Sequence, residues 1–405
     1  MTPPRFSIAG IVVGPTVNSR VELTDEYTVY LASGECGRGS SPVGETCSRF
    51  ESRAVTFSAC EVVRQLHADD VIGREMTQVE FDGYLARNTA RFGSAAVFSL
   101  SVAFFEASLC YAAPSWPTRL PRFSLNILNG GRHAYTNPVL SDFHEYLLVP
   151  RHDDIEQLMI DHGLIQASVR NALAQRETTR IAGNAVHVIG RRGNRDCIEF
   201  LLDIVERLDL SGKYDLMIDA AAAQCWNGSA YELELAEGQT FSPDELQHYW
   251  RELIRDYPVR YLEDPFAEDD IEHWRGLVDR VEECCVLGDD VHSGDVGRIR
   301  SLLDSSCMTG IVLKPDQAGT ISASLAGLAT AREAGAPRFL SHRSISTDSV
   351  VLAHLLLRDG VEFAKFGPLC SDFSAVQKMN EVLRQARAAR KANDVTNLSG
   401  QQAHG

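Results

Sequence analysis

The sequence predicts an α/β fold in which a β/α barrel of the TIM type follows an N-terminal α+β capping domain. The main observation is a short apolar strand that ends in a polar residue, repeated at Glu263, Asp289, Lys314, His342 and Lys365. These residues are 26, 25, 28 and 23 positions apart, which is the length of one strand, one helix and two loops. Residues 1–122 lack this repeat and mix strand-like with helix-like segments, so we expect them to form a separate cap.

Three prolines, Pro114, Pro117 and Pro121, mark the join between the two regions. We therefore predict a capping and lid domain over residues 1–122, a barrel over 123–390 and a flexible tail over 391–405. The tail is polar and poor in bulky apolar residues, which is typical of chain ends that do not pack.

Within the cap, residues 21–31 have two strand-like halves around Asp25 and Glu26, which predicts a hairpin. The segment 33–44 contains four glycines and is predicted to be a flexible surface loop or a lid over an active site. It lacks the Gly-Lys-Ser/Thr ending of a nucleotide-binding loop. Helical patterns follow at 50–68, 78–89 and 94–113. The last is apolar but contains Glu106, so we expect a buried helix and no membrane span.

The barrel region begins with an apolar strand over 123–128, which runs into paired glycines within 129–134. Glu145 then lies inside the apolar segment 143–150, where an unpaired carboxylate is costly, so we expect it to face inward and to have a partner. Helical patterns follow at 153–175, 196–208 and 320–334.

Composition narrows the functional class. The net charge of −16 argues against nucleic acid as a partner. The ten cysteines are scattered singly apart from Cys284-Cys285, with no CxxC pair, so we expect reduced thiols in a cytoplasmic protein. The first residues contain no apolar signal core.

The strand ends carry a candidate metal and acid–base site. In a β/α barrel the C-terminal ends of the strands share one face, so Asp219, Glu263 and Asp289 should converge there with Lys314 and Lys365. Three carboxylates suit a hard cation such as Mg²⁺. Lys314 is a candidate base once burial and nearby cations lower its pKa. The alternative is a set of acidic loops that face water.

Five motifs resemble those of the enolase family, in the same order and at similar spacing. They are Asn129-Gly130-Gly131-Arg132-His133-Ala134, Leu262-Glu263-Asp264-Pro265-Phe266-Ala267-Glu268-Asp269-Asp270, Gly288-Asp289-Asp290, Leu313-Lys314-Pro315-Asp316-Gln317-Ala318-Gly319-Thr320 and Ser341-His342-Arg343-Ser344. Segments 71–73 and 90–95 are similar to the family's cap, so the resemblance spans most of residues 20–390.

The resemblance implies a barrel enzyme, usually dimeric, that acts on a small anionic phosphorylated substrate. It implies a conformational and a catalytic Mg²⁺, and removal of the proton α to the substrate carboxylate through an enediolate, for which enolase-type sites are an established example. By the resemblance, Asp219, Glu263 and Asp289 hold Mg²⁺, Lys314 is the base, Lys365 holds the carboxylate, Arg343 and Ser344 grip the phosphate, and His133, Glu145 and His342 lie on the hydroxyl and lid side.

One segment departs clearly from the family pattern. Where enolases carry Gly-Asp-Glu-Gly-Gly, this chain has Asn184-Ala185-Val186-His187-Val188-Ile189-Gly190-Arg191-Arg192-Gly193, so the glutamate that assists the leaving hydroxyl is missing. His187 is the nearest substitute, and Arg191 and Arg192 are candidate contacts for an additional anion.

Two further departures affect the same side of the site. His144 stands where the family has a glutamine before its equivalent of Glu145, and is a candidate substrate contact. Cys36, a poor Mg²⁺ ligand, falls near the family's lid serine, with Ser40 or Ser41 as possible replacements.

An intact proton-abstraction half and an altered hydroxyl half predict a specialised paralogue. One candidate class is the carboxyphosphonoenolpyruvate synthases of phosphinothricin-type antibiotic pathways, which couple a phosphonoformate unit to a phosphoglycerate or phosphoenolpyruvate skeleton. Arg38, Arg191 and Arg192 would then meet the second anion, and the alternative is that they are solvated loop charges. Two other functions stay open: a true 2-phosphoglycerate hydro-lyase in which His187 replaces the glutamate, and a catalytically inactive scaffold.

Overall fold

The computed structural model describes residues 3–45, 48–51, 57–109, 120–131 and 136–402. The predicted fold class is confirmed: an antiparallel cap precedes a barrel-like sheet surrounded by helices. The cap contains β1 (Phe6–Val17), β2 (Leu23–Leu31), β3 (Cys36–Ser40), α1 (Ala59–Ala68), β4 (Glu75–Met76), α2 (Gln78–Arg87), α3 (Thr89–Phe92) and α4 (Ser94–Ser108).

The four cap strands form one sheet in the order β3-β2-β1-β4. The hairpin expected at Asp25 and Glu26 is wrong, because both residues lie inside β2 and pair with β1. Alternate residues of β2, namely Tyr27, Val29 and Leu31, are buried in the cap core, so the strand continues through the two acids. The apolar helix α4 is buried, as expected. No helix within the described ranges is long and apolar enough to cross a membrane.

Part of the glycine-rich segment predicted as a mobile loop is strand β3. A Cβ atom on Gly39 would lie 2.0 Å from the carbonyl oxygen of Ser99, and one on Gly37 would lie 2.2 Å from the backbone nitrogen of Ala107. Both neighbours belong to α4, so these glycines allow the strand and the helix to approach closely. The loop or lid interpretation of segment 33–44 therefore remains a prediction only for residues 33–35 and 41–44, which lie outside β3.

The barrel region follows from residue 122. Its strands are β5 (Arg122–Phe123), β6 (Leu125–Asn129), β7 (Glu145–Pro150), β8 (Thr178–Ile181), β9 (Asn184–His187), β10 (Tyr214–Asp219), β11 (Tyr231–Leu233), β12 (Gln239–Phe241), β13 (Val259–Glu263), β14 (Cys285–Gly288), β15 (Gly310–Leu313), β16 (Arg338–Ser341) and β17 (Phe363–Lys365). Its helices are α5 (Ile155–Leu173), α6 (Asn194–Arg207), α7 (Pro243–Asp256), α8 (Ile271–Val278), α9 (Val296–Asp304), α10 (Pro315–Ala318), α11 (Ile321–Glu333), α12 (Val351–Arg358) and α13 (Phe373–Gln402).

Nine of these strands form the barrel sheet in the order β5-β17-β16-β15-β14-β13-β10-β7-β6. Only Ser124 separates β5 from β6, so this short segment brings the two edges of the sheet together. The predicted parallel pairing is confirmed from β10 through β17. By contrast, β7 is antiparallel to both β6 and β10. The smaller pairs β8-β9 and β11-β12 lie outside the barrel sheet.

The barrel interior is filled by alternate residues of successive strands. Tyr261, Phe339 and Phe363 pack together there, and the rings of Phe339 and Phe363 stack with centroids 4.3 Å apart. This apolar plug leaves the C-terminal ends of the strands for polar residues. At the end of the chain, α13 extends through most of the segment predicted to be a flexible tail, and the flexibility of 391–405 stays a prediction.

Candidate active site

The barrel strands bring most of the predicted catalytic side chains to one cavity of about 1020 Å³. Asp219 and Lys365 are the last residues of β10 and β17, and Lys314 follows β15 directly. Glu145 is the first residue of β7 rather than an interior one, which corrects the expectation from sequence. Because β7 is antiparallel to its neighbours, its first residue reaches the same face as their last residues.

Lys365 joins three carboxylates. Its Nζ atom donates hydrogen bonds to Glu263 Oε2 at 2.6 Å and to Asp219 Oδ2 at 2.8 Å, and lies 3.0 Å from Glu145 Oε2. Burial opposes the charged form, but Asp219, Glu145 and Glu263 outweigh it and raise the pKa of Lys365 well above its usual value. Lys365 is therefore a buried, permanent cation.

Lys314 makes a second ion pair, between its Nζ atom and Asp289 Oδ2. Burial lowers the pKa of Lys314, but the charges of Asp289 and Asp290 outweigh burial and raise that pKa. This direction is the reverse of the lowered pKa that a base needs, because acids rather than cations are the nearest charges to the amine.

The three predicted metal ligands lie at the ends of adjacent strands, since Asp219 pairs with Glu263 in register and Asp289 follows the next strand, β14. Burial and the charge of Asp219 raise the pKa of Glu263 well above its usual value. Burial also raises the pKa of Asp289 to about 6, against the attraction of Lys314. For Asp219, burial is outweighed by the attraction of Lys365, so its pKa is lowered.

These carboxylates have spare ligand capacity. Glu263 Oε1 and Asp289 Oδ1 are buried and accept no hydrogen bond from any described residue. Mg²⁺ prefers oxygen ligands such as carboxylates, so the chemical type of these donor atoms fits a divalent cation. Within the described part of the chain, however, no three His, Cys, Asp or Glu side chains form a ready metal-binding group. Lys314 and Lys365 hold the carboxylates instead.

The loop after β16 carries the residues predicted to bind phosphate. Arg343 lines the cavity and pairs with Glu51 at 3.2 Å and with Asp316 at 2.9 Å. Ser344 Oγ accepts a hydrogen bond from the backbone N–H of Glu45 at 2.9 Å. The cap segments 41–45 and 48–51 are thus bound to this loop of the barrel.

His342 precedes these residues and also lines the cavity. Burial, together with the charges of Lys378 and Lys365, lowers the pKa of His342 well below its usual value. The imidazole is therefore neutral, and its Nδ1 atom is buried without a hydrogen-bond partner in the described residues. It is available to a ligand as a donor or as an acceptor.

Around Glu145 the lining is built from amides and a histidine. Glu145 Oε1 accepts a hydrogen bond from Asn126 Nδ2 at 2.6 Å, so the expected partner is present. Asn129 and His144 line the cavity beside it. His133, which the resemblance assigns to this side, lies outside the described residues.

Three residues of the divergent segment are not brought to the cavity. His187, Arg191 and Arg192 do not appear among the described residues of its lining. Arg192 is bound to Asp196 at 2.7 Å and to Glu199 at 2.5 Å, and Arg191 is exposed. The expected contacts of these arginines with a bound anion therefore have no support in the geometry.

The cap residues singled out from sequence also lie away from the described lining. Cys36 and Arg38 are exposed on β3. Ser40 is buried and its Oγ atom donates a hydrogen bond to Thr347 Oγ1 at 2.8 Å. Ser41 Oγ is bonded to the carbonyl oxygen of its neighbour.

Sequence reasoning missed several residues of this site. Asn126 could have been found, because it is a polar residue inside an apolar strand, the same signal that singled out Glu145. Arg20 and Glu51 carry no such local signal, since they are cap residues brought to the barrel only by the tertiary fold.

Comparison with known proteins agrees with this geometry. The family described as "Enolase, C-terminal TIM barrel domain" matches residues 117–402. A protein named Enolase from Aeropyrum pernix is 27% identical over 398 residues, which cover 89% of this chain and 90% of that protein. With its barrel, its strand-end acids and its two buried lysines, this chain belongs to the enolase family.

Proposed function

We propose that this protein is a Mg²⁺-dependent enzyme that removes the proton α to the carboxylate of a 2-phosphoglycerate-type substrate through an enediolate. Within the enolase family, it is a specialised member of the carboxyphosphonoenolpyruvate synthase type, acting in the biosynthesis of phosphonate or phosphinate natural products. The observation that carries the proposal is the pairing of Lys314 and Lys365 with buried carboxylates at one cavity.

Lys314 is the proposed base. A proton α to a carboxylate is very weakly acidic, and its removal puts additional negative charge on two oxygens. Lys314 must lose its own proton before it can accept one from carbon, and its pairing with Asp289 opposes that loss. Lys365 is proposed to receive the substrate carboxylate, because three acids keep its ammonium group charged.

Asp219, Glu263 and Asp289 would hold Mg²⁺, which is supported by their donor type and by two buried oxygens without hydrogen bonds. When bound, Mg²⁺ supplies positive charge to the enediolate oxygens and neutralises the carboxylates that now attract the lysines. Arg343 and Ser344 are proposed to bind the phosphate, with the substrate replacing Glu51 on the guanidinium.

Three observations support specialisation on the hydroxyl side. Glu145 is partnered by the amide of Asn126, and the segment 184–193 contributes no described residue to the cavity lining. The cavity volume of about 1020 Å³ also lies at the upper end of the range of about 300–1000 Å³ for drug-sized ligands. A three-carbon phosphorylated acid is much smaller than this cavity, which leaves room for a second substrate.

The first alternative is phosphopyruvate hydratase activity, the conversion of 2-phosphoglycerate to phosphoenolpyruvate. It is favoured by the similarity to the Aeropyrum pernix Enolase along nearly the whole chain. The second alternative is a catalytically inactive scaffold, in which the ion pairs of Lys314 and Lys365 with buried acids only hold the strand ends together.

Two assays on the same sample separate these possibilities. With 2-phosphoglycerate and Mg²⁺ in D₂O, we expect deuterium to enter the α position while ultraviolet absorbance from a new carbon–carbon double bond stays low. An absorbance rise at a typical enzyme rate, about 1–1000 per second, would establish the hydratase instead. If neither deuterium incorporation nor an absorbance rise is observed, the result supports the catalytically inactive scaffold.

The proposal extends to assembly and compartment. We expect a homodimer or a higher homo-oligomer, because the family resembled is usually dimeric. We expect a cytoplasmic protein, because the eight described cysteines are all free thiols. Nucleic acid is not a proposed partner at a net charge of −16.

A further inference from the structure

The mouth of the cavity contains a cation that the proposed reaction does not use. Arg20 lies in the connection between β1 and β2, and lines the cavity together with Ser19. It comes from the cap, whereas the other lysine and arginine residues in the described lining, Lys314, Arg343 and Lys365, come from the barrel.

The connection is fixed to the barrel beside the proposed phosphate site. The backbone N–H of Ser19 donates to the carbonyl oxygen of Ser346 at 2.8 Å, and the N–H of Ser346 donates to Ser19 Oγ at 3.1 Å. Asn18 Oδ1 accepts a hydrogen bond from the N–H of Arg20 at 2.9 Å. Ser19, the residue before Arg20, is thus hydrogen-bonded to the loop that carries Ser344, which fixes the backbone at Arg20. The side chain of Arg20 is 43% exposed.

The guanidinium of Arg20 is ion-paired with an acidic residue of the cap. Arg20 is ion-paired with Glu45, whose side chain is only 8% exposed, and the N–H of Glu45 donates to Ser344 Oγ. The carboxylate of Glu45 therefore lies against an arginine of the cavity lining, next to a residue proposed to bind phosphate. An arginine fork binds carboxylate and phosphonate oxygens with the same bidentate geometry, so a ligand anion can take the place of Glu45.

We propose that Arg20 binds a second anionic group, a phosphonate or carboxylate carried by a co-substrate, which replaces Glu45 on the guanidinium. This inference rests on the proposed function, because it takes a phosphoglycerate-type skeleton to be bound deeper in the same cavity. Arg20 thereby determines specificity for the second substrate, in the role that the sequence analysis expects of Arg38, Arg191 and Arg192.

Calorimetric titration with two separate probes, phosphonoformate and 2-phosphoglycerate, tests this at saturating Mg²⁺. The quantity compared is the ratio of the two dissociation constants. Loss of a charge-assisted hydrogen-bonded pair weakens binding by about tenfold or more, so Arg20→Gln should shift the ratio against phosphonoformate by at least about fivefold. Arg74→Gln, at an exposed cap arginine outside the described lining, should leave the ratio at the wild-type value.

A second variant should change the relative affinity for phosphonoformate in the opposite direction, and this test does not depend on whether Arg20→Gln folds. Glu45→Gln removes the competing charge and should tighten phosphonoformate binding relative to 2-phosphoglycerate. The proposal is overturned if Arg20→Gln shifts the ratio of dissociation constants by less than about fivefold. It is also overturned if Glu45→Gln does not tighten phosphonoformate binding relative to 2-phosphoglycerate binding. Wild-type protein that does not bind phosphonoformate overturns it as well. Failure of the proposed function is detected separately, as the absence of deuterium exchange into 2-phosphoglycerate.

Discussion

Lys365 Nζ lies 2.6 Å from Oε2 of Glu263, a carboxylate with no exposed surface. The two residues end strands β17 and β13, which are not neighbours in the sheet, so the contact crosses the barrel. Removing one partner of a buried ion pair leaves the other charge uncompensated, which costs far more than the net value of the pair.

Replacement of Lys365 by methionine should therefore lower the free energy of unfolding by about 3–5 kcal/mol. Urea denaturation at pH 7 measures this change. Lys213→Met, at an exposed lysine, is the matched control and should stay within about 0.5 kcal/mol of the wild type. Equal midpoints for the two variants would mean that the ion pair does not hold the site together.

Addition of Mg²⁺ should raise the free energy of unfolding, by about 2.7 kcal/mol at a hundred times the dissociation constant, because the ion binds the folded chain. Glu263→Gln removes a proposed ligand and should abolish most of this stabilisation. Asp244→Asn, at an exposed acid, should retain it. Thermal unfolding with and without Mg²⁺ or a chelator provides the measurement. If Glu263→Gln responds like the wild type, the metal site is elsewhere.

Gly39 should tolerate no side chain. Its Cβ atom would lie 2.0 Å from a backbone oxygen of α4, so Gly39→Ala should destabilise the cap by about 3 kcal/mol or more. Gly10→Ala is the control, because Gly10 lies in the same sheet with no atom within 4 Å of an added Cβ. Similar urea midpoints for both variants would contradict the close packing of β3 on α4.

His162 should make stability depend on acid pH. It is buried in α5, and burial lowers its pKa from 6.5 to about 4. The unfolded chain therefore binds this proton more tightly, so stability is full above about pH 6.5 and is lost towards pH 4, by about 3 kcal/mol in total. Urea denaturation between pH 7 and 4.5 should show a flatter dependence for His162→Gln than for the wild type. An unchanged dependence would mean that His162 stays exposed to protons when folded.

The strand-end residues could be predicted from sequence because a barrel sends the C-terminal ends of its strands to one face. Asp219, Glu263, Lys314 and Lys365 each end or follow an apolar strand, and this position at the strand end predicts that they lie together. The antiparallel direction of β7 cannot be recognised from the spacing of the strand ends, so the sequence predicts Glu145 inside a strand, whereas it lies at the start of β7.

The cap contributions could not be predicted in the same way. Glu51 pairs with Arg343 across 292 positions of sequence, and no local pattern encodes such a contact. The glycines of β3 suggested flexibility by composition, whereas the structure uses Gly37 and Gly39 for close packing against a helix. The charge of Arg191 and Arg192 predicts contacts with an anion, but acids near Arg192 in sequence already bind its guanidinium.

The most direct test of the central claim is exchange of the α proton of 2-phosphoglycerate for deuterium in D₂O with Mg²⁺, followed by NMR. The wild type should exchange it, and Lys314→Ala should slow exchange by at least about 100-fold, because general-base catalysis contributes about 10²–10⁴-fold. Lys213→Ala, at an exposed lysine, should match the wild type. Exchange by Lys314→Ala at the wild-type rate would contradict the assignment of Lys314 as the base.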